Sequence, residues 1–87
     1  MSHDYRELTQ DLSAKLAEMH REIPETMKGF GMMSKTAHVE GVLSNKTKEL
    51  IALAIGVSQH CSGCIGFHVK ALHKLGGTRA ELEEMLT

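Results

Sequence analysis

The sequence predicts an all-α domain of about five short helices, and three observations carry that expectation. Apolar residues recur at steps of three and four along most of the chain. No segment alternates with the period of two that marks a strand. Proline, glycine and capping residues divide the chain at helix-length intervals. At 87 residues, the chain is read as one small domain over 1–87.

The first helix follows from Tyr5, Leu8, Leu12, Leu16, Met19 and Ile23, which form one apolar stripe. Asp4 followed by Glu7 supplies an N-cap and a capping-box-like partner. Pro24 ends this helix, because the residue before a proline avoids the helical region. It also suits the first position of a second helix carrying Met27, Phe30 and Met33 on one face, weakened by Gly29 and Gly31. Gly41 marks a turn, and Ser44 caps a third helix through NKTKELIALAIGVS. Leu50, Ile51, Leu53, Ala54 and Val57 cover so much of its circumference that it is expected to be largely buried. A fourth helix begins near Cys61 and runs to Leu75 with Ile65, Val69 and Leu72. Gly76-Gly77 ends it with the residue type suited to a left-handed cap. Thr78-Arg79-Ala80-Glu81 is a capping box opening a fifth helix that has run two turns by Thr87.

Composition narrows the function classes. Hydrophobic residues are 41% of the chain, as in a globular protein, but aromatics are only 3%, so the six methionines read as core gap-fillers. A net charge of −1 with interspersed signs leaves no basic footprint for nucleic acid. The apolar run Leu50 to Val57 is far too short for a membrane span. The opening MSHDYREL has no apolar segment and is no signal peptide, so a cytoplasmic location is expected. In that setting two nearby cysteines point to metal or redox use rather than to a structural staple.

Those cysteines lie in HCSGCIGFH, His60 to His68. Cys64 and His68 are four apart, one helical turn, so they share a face. An imidazole there can take a thiol proton or stabilise the thiolate. Cys61 and Cys64 stand at a helix start, where free N–H groups and the macrodipole favour negative sulfur. Glu49 joins if the third and fourth helices form a hairpin turning near Ser58-Gln59, since Glu49 and His68 are each nine or ten residues from that turn. A carboxylate at the boundary of a buried helix needs a partner, and it would fix the tautomer of His68 in a nucleophile, base and orienter set.

Other readings of the same residues stand beside this one. Cys61, Cys64 and His68 could be three zinc ligands, with His60 or His73 as the fourth. The cysteines could be inert core residues, and Glu49 could form a surface ion pair with Lys46 or Lys48. His3, His20, His38 and His73 read as surface residues. A thioredoxin-like domain is excluded because no strand precedes Cys61. A c-type haem site is excluded because Ile65, not histidine, follows Cys64.

Glu49, eleven residues, Cys61-Ser62-Gly63-Cys64, three residues and His68, preceded by KTKELIALAI, together resemble the signature of the AhpD-like alkylhydroperoxidase family, grouped with the carboxymuconolactone decarboxylases. The strong match runs from about Thr36 to Leu86. The resemblance implies a thiol-dependent oxidoreductase without a bound cofactor or metal. By it, Cys64 attacks a hydroperoxide or disulfide substrate, Cys61 is the more exposed resolving partner, and His68 and Glu49 relay the proton. It implies a dithiol electron donor, a lipoyl-bearing protein or a peroxiredoxin, and a homo-oligomeric trimer or hexamer. Two departures are visible: Ser62 stands where some members carry histidine, and family subunits continue with a further long helix. The alternatives from other classes are a cofactor-free decarboxylase, which has no need of the cysteine pair, and a zinc-binding or structural module.

Overall fold

A computed structural model describes residues 4–87; the reading of His3 as a surface residue lies outside them. The described residues form five helices and no strand: α1 (Tyr5–Glu22), α2 (Pro24–Ala37), α3 (Asn45–Ser58), α4 (Ser62–Lys74) and α5 (Arg79–Leu86). The all-α expectation holds element by element. Asp4 caps α1 by accepting from the backbone N–H groups of Arg6 and Glu7. Pro24 opens α2, where its missing N–H costs no helical bond. Ser44 caps α3 through the N–H of Thr47, and Thr78 and Glu81 make the reciprocal capping box of α5.

The helices pack in the spatial series α2–α1–α4–α3–α5. α4 is therefore the central element, held between α1 and α3, and both contacts are made possible by glycine. A Cβ on Gly66 would meet Thr9 Cγ2 at 2.7 Å, so α1 crosses α4 at Thr9, which is buried. A Cβ on Gly56 would lie 3.1 Å from Cys64 Cβ, so α3 passes α4 directly beside the cysteine pair. α5 is tied to the start of α3 by an ion pair between Lys46 and Glu81, 3.0 Å apart.

Both long helices of the hairpin end in the same way. At the end of α4, the Gly77 N–H bonds to the Leu72 carbonyl and the Gly76 N–H to that of His73, with Gly76 at φ +78°. This is the left-handed cap expected of the glycine pair. At the end of α3, the N–H groups of Cys61 and His60 repeat the pattern on Gly56 and Val57. There the left-handed position, φ 54°, is held by His60. This tight reversal places Cys61 at once as the N-cap of α4.

Two expectations of burial need correction. α3 is not largely buried: Leu53 is 1% exposed, but Ile51 and Ile55 are 48% and 57% exposed. Only one side of α3 meets α4, and α5 is too short to cover the rest. On α2, Met27 is buried while Phe30, Met32 and Met33 stand in solvent, so most of its methionines fill no core within this chain. No described helix is long and apolar enough to cross a membrane.

Candidate active site

The site forms on the α3–α4 hairpin. Cys61 and Cys64 are joined in a disulfide, with Cα atoms 5.2 Å apart. Cys61 is the N-cap of α4, and its Sγ accepts from the Cys64 N–H at 3.3 Å. A helix N-terminus presents unpaired N–H groups, so sulfur here sits where negative charge is stabilised. Both cysteines are half-buried.

One turn further along α4, His68 places Nδ1 2.7 Å from Glu49 Oε2 on α3. The antiparallel register read from the sequence thus brings the pair together. An ionised carboxylate only accepts, so His68 donates from Nδ1 and leaves Nε2 bare as a base. Glu49 is 3% exposed. An isolated carboxylate so deeply buried would be strongly disfavoured, and its pairing explains why it is tolerated.

The surface ion-pair reading of Glu49 is overturned. Lys46 is engaged by Glu81, and Lys48 donates to the carbonyls of Ala37 and Val39 at 3.2 and 2.7 Å. The second partner of Glu49 is instead His38, whose Nε2 lies 3.0 Å from Oε1. His38 was read as a surface residue. Its ring is indeed 45% exposed, yet it closes the site from the end of α2. The one sequence signal that could have found it is its place at the C-terminus of a helix, next to a loop that must return to α3.

Among the described residues, no group of three or more His, Cys, Asp or Glu side chains is arranged to hold a metal ion. The two cysteines are engaged with each other. His60 serves the turn through its backbone, and His73 lines a separate groove between α1 and α4 with Tyr5, Thr9, Ile65 and Val69.

Comparison with known proteins agrees with this geometry. The family model described as the carboxymuconolactone decarboxylase family matches residues 23–87. Curated relatives include an uncharacterised protein of Cupriavidus necator, 34% identical over 86 residues, covering 91% of this chain and 76% of the relative. An uncharacterised protein of Haemophilus influenzae is 31% identical over 70 residues, covering 80% of this chain and 62% of the relative. Uncharacterised protein 4 in the cox locus of Paracoccus denitrificans is 34% identical over 74 residues, covering 85% and 67%. Among solved structures, the apo form of a carboxymuconolactone decarboxylase family protein from Legionella pneumophila superposes with a TM-score of 0.92. It shares 46% identity and is matched over 98% of this chain and 76% of its own. With the fold, most of the chain and the family model in agreement, the chain belongs to the carboxymuconolactone decarboxylase family, in its AhpD-like form.

Proposed function

We propose that the protein is a thiol-dependent oxidoreductase of the alkylhydroperoxidase type, reducing hydroperoxides through the Cys61–Cys64 pair. The observation that supports this reading most is the redox-capable pair at the start of α4, one turn from a histidine whose Nδ1 is held by a buried carboxylate. In the dithiol form, His68 Nε2 takes the proton of Cys64, directly or through one water. The Cys64 thiolate attacks the peroxide, the O–O bond breaks, and sulfur becomes a sulfenic acid while the alkoxide takes a proton to leave as alcohol. The Cys61 thiol displaces hydroxide from that sulfur, giving the disulfide and water. An external dithiol then reduces the disulfide by exchange and is itself oxidised. By family resemblance that donor is a lipoyl-bearing protein or a peroxiredoxin.

The test is peroxide consumption by the reduced protein, with dihydrolipoamide as donor, in wild type, in two single serine variants and in their double. Cys64→Ser should abolish consumption. Cys61→Ser should give a single oxidation event that does not recycle. Undiminished peroxide consumption in the doubly substituted chain would sink the thiol mechanism. Disulfide reduction without peroxide turnover would confine the activity to thiol–disulfide exchange.

A further inference from the structure

The groove between α1 and α4 contains none of the candidate active-site residues. Its volume is about 500 Å³, within the range of small-molecule sites. The buried Thr9 and Gly66 form its floor, and Ile65, Val69 and Tyr5 make its sides. The floor is closed by the crossing of the two helices, where a Cβ on Gly66 would meet Thr9 Cγ2 at 2.7 Å and Tyr5 Cδ1 at 3.6 Å. Cys64 and His68 face the other way, toward Gly56 and Glu49 on α3. The groove and the cysteine pair therefore occupy opposite sides of α4.

The charged groups that line it have one sign. Arg6 comes from α1 and Lys70 from α4, and His73 adds a ring N–H one turn beyond Val69. No acidic residue is among the lining side chains. Among the described residues, the cationic partners in ion pairs are His38, His68, Lys46 and Arg79, so neither Arg6 nor Lys70 is neutralised by a carboxylate. Asp4, the acid adjoining the groove in sequence, spends its carboxylate on the N–H groups of Arg6 and Glu7. Two fixed cations on facing helices above an apolar floor complement an anion set between them. From Ile65 to His73 the groove follows roughly 12 Å of α4. That is the scale of a small molecule, whereas a partner protein covers about 800 Å². The apolar residues left open on α2 and α3, Phe30, Ile51 and Ile55 among them, do not extend it.

We propose that the α1–α4 groove binds an amphipathic monoanion, an aliphatic chain ending in a carboxylate. The chain lies along Ile65, Val69 and the Thr9 methyl group, close to the helix backbone where Gly66 has no side chain. The carboxylate is held between Arg6 and Lys70. The guanidinium fork matches both carboxylate oxygens, and the ammonium adds a second charge from the opposite helix. His73 donates its ring N–H at the open end. An unbranched medium-chain fatty acid has the length, the apolar surface and the single charge that this lining asks for. Binding is reversible and makes no covalent bond. It does not rest on the oxidoreductase reading, because no cysteine or relay residue touches the groove.

Titration of the ¹⁵N-labelled chain with decanoate, decanol and acetate at neutral pH tests this. Decanoate should shift the amide signals of Arg6, Thr9, Gly66, Val69 and Lys70 saturably. Decanol keeps the chain without the charge and acetate the charge without the chain, so each should bind more weakly by about tenfold or more. Arg6→Gln and Lys70→Gln should each weaken decanoate about tenfold, the size of one charge-assisted hydrogen bond. Lys28→Gln on α2 removes the same charge elsewhere and should leave the affinity unchanged. Equal binding of decanoate and decanol would overturn the proposal, as would an affinity unaltered in both groove variants. Decanoate shifts confined to α2 and α3, or no saturable shift at all, would overturn it too and leave the groove to a second copy of this chain. None of these readouts involves peroxide or the cysteines, so their failure leaves the oxidoreductase reading where it stands.

Discussion

Glu49 shows at the residue scale what a short sequence can and cannot disclose. Its pairing with His68 was legible because both residues lie on regular helices joined by a short turn. Counting residues from Ser58-Gln59 therefore gives their relative height, and the 2.7 Å contact follows. His38 was not legible in this way. It reaches Glu49 across the irregular segment between α2 and α3, where no periodicity relates one position to another. Thr9 was missed for a related reason: a hydroxyl on an amphipathic helix reads as polar surface. Here it is 2% exposed, with Oγ1 donating to the Arg6 carbonyl at 3.0 Å and its methyl group against Gly66. If His68 and Glu49 act as one unit, their removal is not additive. Glu49→Gln and His68→Gln should each slow the reaction of Cys64 with peroxide by roughly two orders of magnitude, the range of a positioned general base. The double variant should be slower by little more. Stopped-flow single-turnover oxidation measures this, and fully additive losses would separate the two residues.

At the scale of elements, helix identity was legible from caps and stripes, but the closeness of helix packing was not. A glycine inside a helical pattern reads as a weakness, and only the fold distinguishes a tolerated one from a required one. Gly66 and Gly29 make opposite cases. Alanine at Gly66 would drive its Cβ against the buried, β-branched Thr9, and should cost about 1–3 kcal/mol as overpacking. Alanine at Gly29, mid-α2 with nothing within 4 Å, should instead stabilise by about 0.5–1 kcal/mol through helix propensity. Chemical denaturation of the two variants at one protein concentration checks both signs. The capping box of α5 gives a pH signature. The backbone N–H of Thr78, and then the Lys46 ammonium, hold the Glu81 carboxyl below its ordinary 4.5. A carboxylate with a lowered folded-state value stabilises the fold above its unfolded value and loses that contribution as pH falls through the folded one. The gap in Tm between wild type and Glu81→Gln should thus be open at neutral pH and close on acidification below 4.5. A gap independent of pH would remove the carboxylate from the cap.

At the scale of the whole molecule, the chain is larger and more open than its mass warrants. The radius of gyration is 14.1 Å, against about 12 Å for a compact domain of this length. Its accessible surface is 6752 Å², whereas a folded monomer of 9.6 kDa exposes about 5,100 Å². Among the described residues, only Met27, Leu53 and Leu72 are buried apolar side chains. The excess, about 1,700 Å², carries the apolar residues the fold leaves open: Phe30, Met32 and Met33 on α2, Val42 and Leu43 in the following loop, and Ile51 and Ile55 on α3. We propose that further copies of this chain cover this surface. A standard interface covers about 800 Å² per partner, so the excess matches two contact surfaces on each subunit, as a closed ring of three requires. Adaptable Met-rich surface suits such contacts. The same contacts would run beside the site, since Ile51 and Ile55 share α3 with Glu49. Light scattering at micromolar concentration should therefore give a multiple of 9.6 kDa, and Phe30→Glu or Ile55→Glu should lower that mass together with the thermal stability. A wild-type mass of one chain would overturn this expectation and leave the exposed face of α2 and α3 to a different partner.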